Sequence, residues 1–268
     1  MGAGLGLALH RAGHPVALLS RGPRRTPSEL TLHEPATWPP ALAGAGTVLI
    51  AAPDDAIAAV ASTLSSIDAL RPEHVVLHLS GLLDHSVLAP LARSGAALGS
   101  LHPLQSIADP ATAPALLDGA YAAVEGEPRA VERARALALA VGLRPVAVAA
   151  GSKAAYHAAA AIVSNYSVVL ADVARRIAER AGIDAELAGE MYLPLLAGTA
   201  ANLRALGPAR ALTGAVRRGD AATVRAHLAA LDDEERELYI GLARRALRLA
   251  VEAGLPAEPA ELVERELH

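Results

Sequence analysis

Up to about residue 150 the sequence alternates short apolar runs with stretches of helical spacing, and beyond Gly151 the strand signals stop. The runs 16–19, 47–51 and 75–79 are four or five residues long and bounded by Gly, Pro or polar residues, as strands buried on both faces are. Between them, 56–70 and 86–93 carry helical spacing. Strand, helix, strand, helix in that order predicts an α/β fold built on a parallel sheet with right-handed crossovers. After residue 151 good helix formers dominate. The spacing predicts one long helix over 153–181 ending at Gly182 and a second over 185–206 kinked at Pro194. A helix over 221–231 with Asp220 as its cap and another over 233–253 complete the chain. The change in composition places a domain boundary at residue 150, with an α/β domain over 1–150 and an all-helical one over 151–268.

Hydrophobic residues make up 53% of the chain, yet aromatics are 2% and Phe is absent, so the core must be Ala, Leu and Val. Such a core suits closely packed helices and parallel strands. A net charge of −4 without a Lys/Arg-rich run argues against nucleic acid or an anionic membrane as partner and leaves small polar molecules. With no cysteine there is neither a disulfide framework nor a thiolate metal site, which fits a reducing compartment. Two histidines, His78 and His102, without a carboxylate at fixed spacing make no metal site either. No leader and no run of eighteen purely apolar residues is visible, so the expectation is a soluble cytoplasmic protein.

Gly2, Gly4 and Gly6 look at first like a compressed G-x-G-x-x-G dinucleotide fingerprint. Spacing rejects that register. Were Gly6 the third glycine, the next helix would have about two turns before Gly13, too few to cross a sheet. With Gly2 as third glycine the helix runs to Ala12, Gly13 closes it and Val16 opens the next strand. Met1 then sits inside the fingerprint, and the first strand and first two glycines are expected upstream of it. The alternative is a flexible glycine tail. At the end of the second strand, where NAD-selective sites place Asp or Glu, the chain has Ser20-Arg21-Gly22-Pro23-Arg24-Arg25. A hydroxyl and several guanidinium groups suit the 2′-phosphate of NADP, and the alternative is a solvated basic loop.

Five segments in order, Ala51-Ala-Pro53-Asp54-Asp55, Leu77-His78-Leu-Ser80-Gly81, Gly99-Ser-Leu-His102-Pro103-Leu-Gln105, Tyr156-His157 with Ser164-Asn165, and Leu212-Thr213-Gly214 with Arg217, resemble the Rossmann-like proteins carrying domain of unknown function 2520. The chain departs at Ala215, where that pattern has Pro. The family is similar to the 6-phosphogluconate dehydrogenase and ketopantoate reductase group. The resemblance implies a Rossmann-type domain followed by a 6-phosphogluconate-dehydrogenase-like helical domain that shapes the substrate site and the dimer.

Pro53 is expected to turn the backbone past the cofactor, or Asp54 or Asp55 simply to cap the next helix. Ser80 and Gly81 end a strand at the carboxyl edge of the sheet, where ligands bind in open α/β folds. His78, inside a strand, reads as a buried hydrogen-bonded histidine. His102 is placed in a loop, with a substrate role or a buried one equally open. On the long helix Lys153, His157 and Ser164 fall within about 40° of one another, with Asn165 at the edge of the stripe. In the related reductases a Lys and an Asn of this helix flank the reacting carbonyl, which makes Lys153, His157 and Asn165 the candidate catalytic residues. The alternative is a solvated first-turn lysine. Asn202 and Arg217 are candidates for a substrate carboxylate. The cofactor set is Gly2, Ser20, Arg21, Arg24, Pro53, Ser80 and Gly81. The leading expectation is an NADPH-dependent reductase of a small 2-oxo or related carboxylic acid, ketopantoate first by resemblance, acting as a homodimer. The competing one is a non-catalytic dinucleotide-binding or regulatory dimer.

Overall fold

The structure, a computed structural model, describes residues 1–20, 26–34, 38–149 and 151–268. Arg21 and Arg24 of the expected phosphate loop lie outside the described residues. The chain forms two compact units, Met1–Ser164 and Asn165–His268.

In the first unit, α1 (Gly2–Arg11) is followed by Gly13 and then by β1 (Ala17–Leu19) and β2 (Thr31–His33). Next come α2 (Trp38–Ala43), β3 (Thr47–Ile50), α3 (Asp54–Ile67) and β4 (Val75–His78). A 3₁₀ run over His85–Ser94 leads to β5 (Ala97–Leu104), α4 (Ala113–Leu117), β6 (Tyr121–Gly126), α5 (Pro128–Ala140) and β7 (Arg144–Ala147). α6 (Lys153–Val163) ends the unit. The change in composition near residue 150 therefore precedes a helix that packs with the sheet, because its first residue, Lys153, is buried there.

The three strands read from the sequence form in place, each shortened by a residue. β3, β4 and β5 pair in parallel, β6 returns antiparallel along β5, and β7 runs parallel to β6. β1 and β2 form a separate parallel pair. The usual doubly wound order, 3-2-1-4-5-6, puts another strand between the positions of β1 and β3. Among the described residues nothing fills it. α1 spans the joint: Leu5, Ala8 and Leu9 share a core with Val16 on one side and Leu49 on the other.

Alternation along the strands builds the two layers. Leu77, Leu101 and Val124 face α1 and α5. Val76 and Leu98 face Leu42 of α2, Ile57 and Leu64 of α3, and Leu88 of the 3₁₀ run. Each fully buried leucine contributes about 1.5–3 kcal/mol, and α5 comes close to the sheet because its inner positions are Ala130 and Ala134.

The second unit is helical: α7 (Asn165–Arg180), α8 (Ala185–Glu190), α9 (Leu193–Leu206), α10 (Pro208–Ala211), α11 (Gly214–Arg218), α12 (Ala221–Ala230), α13 (Asp233–Glu252) and α14 (Ala257–Glu266). The single helix expected over 153–181 is interrupted at Ser164, which caps the C-terminus of α6 before α7 starts at Asn165. That expected over 185–206 divides into α8 and α9. Pro194 does not kink it; it occupies the first turn of α9, where its missing N–H has no helical partner to lose. Asp220 caps α12 as expected, accepting from Thr223 N, and Asp232 with Glu235 forms a capping box on α13. Val216, Val224, Leu247, Val263 and Leu267 make this unit's core. By contrast Tyr166, Val168, Leu193 and Leu195 on α7 and α9 are exposed. The 28 residues Lys153–Arg180 are long and apolar enough to cross a membrane by length and composition. The run is broken at Ser164, and Asp172 pairs with Arg175 and Arg176 along it.

Candidate active site

The site is assembled at the carboxyl ends of the parallel strands. A Cβ at Gly2 would lie 2.4 Å from the Cβ of Ala51, so glycine alone lets the first turn of α1 sit against the end of β3. No side chain caps that turn, and its free N–H groups point where a helix start favours an anion. Close helix–strand packing is what the third fingerprint glycine requires, so the turn fits a dinucleotide pyrophosphate. Pro53 is the N-cap of α3, which has no side-chain cap. Asp54 and Asp55 do not cap the helix; they lie in its first turn, where negative charge suits the dipole. Ser20 follows β1, its N–H donating to His33 O at 3.4 Å.

Strand register then lines up a buried polar row. His78 on β4 is opposite Ser100 on β5, and Ser100 is opposite Glu125 on β6. All three are buried. Lys153, 2% exposed, lies over the row. Its Nζ donates to Ser80 O at 2.7 Å and to Ser100 Oγ at 2.9 Å. Ser100 Oγ donates to Glu125 Oε2 at 3.3 Å, and that oxygen also accepts from the backbone N of His85 at 3.0 Å. The other Glu125 oxygen pairs with His85 Nδ1. Lys153 is therefore no solvated first-turn residue. Burial pushes its ammonium down to about 8, against the opposing pull of the Glu125, Asp84 and Asp54 carboxylates.

His78 is a satisfied core histidine. Ser80 N donates to its Nδ1 at 3.2 Å, which leaves the ring proton on Nε2 to donate to Asp84 O at 3.1 Å. Burial, then the Lys153 charge, lowers it to about 4.

Above the row stand His102, Tyr156 and His157. His102 is not in a loop: it lies within β5, because β6 pairs back along that strand as far as Leu104, past Pro103. Its Nδ1 is 3.0 Å from the Tyr156 hydroxyl, and its ring meets those of Tyr156 and His157 edge-on at centroid distances of 5.7 and 5.9 Å. Burial, followed by the charges of Lys153 and His157, lowers His102 to about 4, and burial raises the Tyr156 phenol. A Cβ at Gly81 would fall 2.5 Å from His157 Cδ2 and 2.9 Å from the His102 ring, so that position is glycine to admit two imidazoles. Ser80 Oγ accepts from Leu82 N and Leu83 N, which shapes the turn, while the Ser80 carbonyl holds Lys153.

The structure thus gathers Lys153, His157, His102, Ser80 and Gly81 at one sheet edge. Asn165 opens α7 in the second unit and is exposed, as is Asn202 on α9. Arg217 on α11 donates to Ala253 O at 3.1 Å, serving the end of α13. Sequence reasoning missed Ser100, Glu125, His85 and Tyr156. Ser100 and His102 are two apart in one strand, a spacing that puts them on one face. Glu125 carries no local signal, since its place beside Ser100 exists only through β6 pairing.

Two family models cover the sequence in tandem, a Rossmann-like domain over residues 1–103 and a domain of unknown function, DUF2520, over 120–246. No curated protein matches the sequence. Among solved structures, a Thermotoga maritima protein superposes with TM-score 0.71 at 23% identity, covering 94% of this chain and 96% of that one. A candidate NADP oxidoreductase of Bacteroides fragilis does so with TM-score 0.68 at 19% identity, over 92% and 93%. The pyrroline carboxylate reductase of Plasmodium falciparum, solved with NADP bound, gives 0.62 at 12%, over 98% and 94%. At such identities the likeness establishes the fold. The chain thus matches the model of a Rossmann-like domain in its first part and that of domain of unknown function 2520 in its second.

Proposed function

We propose that the chain is an NADP(H)-dependent reductase of a C=O or C=N bond in a small carboxylic acid. The observation that carries this is Lys153: a buried ammonium held near pH 8 beneath the Ser80–Gly81 turn, at the ligand-binding edge of a dinucleotide-type sheet and beside His102, Tyr156 and His157. Gly2 and Pro53 would line the pyrophosphate, and Ser20, Arg21 and Arg24 the 2′-phosphate that distinguishes NADP from NAD. When bound, NADPH supplies the hydride. Lys153 or His157 supplies the proton to the reduced oxygen or nitrogen, and a lysine near pH 8 is matched to that task at neutral pH. Ketopantoate is the first oxo acid to try by resemblance, and the likeness to a pyrroline carboxylate reductase adds cyclic imino acids to the panel. The exposed apolar residues of α7 and α9 support a homodimer, and the absence of cysteine suits the cytoplasm.

Lys153→Ala should abolish NADPH oxidation with the turned-over acid while leaving NADPH binding, followed by its fluorescence, intact. Unchanged turnover would remove Lys153 from the mechanism. One observation favours a second reading: Lys153 is fully enclosed and two of its donors are engaged by the protein, as in a structural lysine. The chain would then be a dinucleotide-binding dimer without chemistry. NADPH binding with no oxidation across a panel of oxo and imino acids would select it.

A further inference from the structure

Glu125 is a buried carboxylate that the proposed chemistry does not use, and it stands between Lys153 and a half-exposed imidazole. The contacts are continuous: Lys153 Nζ to Ser100 Oγ at 2.9 Å, Ser100 Oγ to Glu125 Oε2 at 3.3 Å, and Glu125 Oε1 to His85 Nδ1. The interior members are sealed from water, Ser100 at 0% and Glu125 at 7% exposure, while the His85 side chain is 39% exposed. Every link is a group that both gives and takes a proton, or can once protonated. His78, the other polar side chain of the row, has both ring nitrogens committed to the backbone and offers no branch.

We propose that Ser100, Glu125 and His85 form a relay that carries protons between solvent and Lys153; this rests on the reading of Lys153 as the proton donor. After Lys153 gives up a proton and becomes a neutral amine, the Ser100 hydroxyl turns and passes its proton to Nζ. The His85 imidazolium passes its Nδ1 proton to the Glu125 carboxylate, the carboxylic acid so formed returns a proton to Ser100 Oγ and is a carboxylate again, and a solvent proton restores the imidazolium at Nε2. One proton enters at the surface and one leaves at Nζ, with no electron transferred and no charge accumulated. A buried carboxylate is costly to desolvate. Here its two oxygens are anchored by the backbone N and ring of His85 and by Ser100, which fixes the geometry that transfer along the row needs.

The test is exchange of the Lys153 ammonium protons with water, read by NMR on the full chain labelled with nitrogen-15 lysine at one fixed pH. His85→Ala and Glu125→Gln should each slow exchange by about a hundredfold, within the range that a positioned acid or base contributes. Added imidazole should restore exchange in His85→Ala, where the surface group is missing. It should not restore Glu125→Gln, whose interior link is broken. Unchanged exchange in His85→Ala, or slowed exchange that imidazole does not restore, overturns the relay; His85 is half-exposed, so this variant does not depend on a core substitution folding. Lys153→Ala turnover, measured in parallel, keeps the two claims apart. If turnover survives in Lys153→Ala while imidazole-dependent exchange is seen in His85→Ala, the donor assignment falls and the proton path stands. If turnover is lost but exchange ignores His85, the relay alone falls.

Discussion

The first unit buries Lys153, Glu125, Ser100 and His78, each under a tenth exposed, whereas the second leaves Val168 72% and Leu195 66% exposed. Each departs from the ordinary partition of polar and apolar groups, in opposite directions. In the first unit every buried side-chain nitrogen and oxygen among the described residues has a hydrogen-bond partner, so the desolvation cost is contained by a connected network. In the second, nothing within the unit covers the apolar face of α7 and α9. Buried, connected polarity is the form that chemistry takes; uncovered apolar surface is the form that assembly takes. The comparison predicts that substitutions in the first unit act on turnover and protonation, and that those on the α7–α9 face act on association.

The sharpest way to break it is Lys153→Met, which keeps the length and apolar stem and removes the charge. Turnover should fall by about 10²- to 10⁴-fold, the usual weight of a positioned acid, with folding retained. With Lys153 as the proposed acid of the reduction, kcat should decline as pH rises through about 8. A profile flat through that range in an active enzyme would mean that Lys153 only packs.

On the other side, Val168→Glu with Leu195→Glu should convert a dimer to monomers. A buried aliphatic side chain contributes about 1.5–3 kcal/mol, so losing even one raises the dissociation constant by about thirtyfold. Sedimentation velocity reads this directly. NADPH binding should persist, since neither residue belongs to the first unit. A monomeric wild-type chain would end the assignment of that face to assembly.

How much of this the sequence disclosed follows the same division. Strands 16–19, 47–51 and 75–79 were legible because burial on both faces leaves apolar runs, and Gly2 because only one register gives α1 enough turns. Lys153 and His157 were legible because, four residues apart, they share a face of one helix. β2, β6 and β7 were not: β2 has three residues, β6 offers only Ala122-Ala123-Val124 between Tyr121 and Glu125, and β7 is led by Arg144 and Pro145 at an exposed edge. With β6 unseen, Glu125 could not be placed opposite Ser100, and His102 read as a loop residue because Pro103 follows it. The break at Ser164 left Asn165 at the start of another helix, which no angular count along a single ideal helix could reveal.

A smaller effect separates the units by acid. His78 and His102 are held at about 4, below the ordinary value of 6.5, chiefly by burial. The unfolded chain therefore binds protons that the folded chain refuses between pH 6.5 and 4, so stability is full above 6.5 and declines as pH falls through that window. Urea midpoints at pH 7 and 5 should show the decline. His102→Gln should remove about half of it, since the two shifts are alike. Equal slopes in wild type and variant would mean that His102 is protonated in the fold and that the cluster is wetter than its geometry implies.

The smallest effect contrasts two kinds of helix start, one from each unit. α13 starts on a complete capping box, with Asp232 Oδ1 accepting from Glu235 N at 2.9 Å. α1 and α3 start with no side-chain cap, behind Met1 and Pro53. A cap satisfies a helix start and closes it to ligands; an uncapped start at the sheet edge leaves N–H groups for an anion. Asp232→Ala should destabilise the chain by about 1 kcal/mol, the usual weight of a lost cap, measured as a shifted urea midpoint with unchanged NADPH affinity. The informative counterpart is at α1. Adding phosphate or pyrophosphate should raise the stability of the wild-type chain and of Asp232→Ala alike, because the stabilising site is the open start of α1 and not the closed start of α13. A gain that vanished in Asp232→Ala would place the anion in the helical unit and dissolve the contrast between the two.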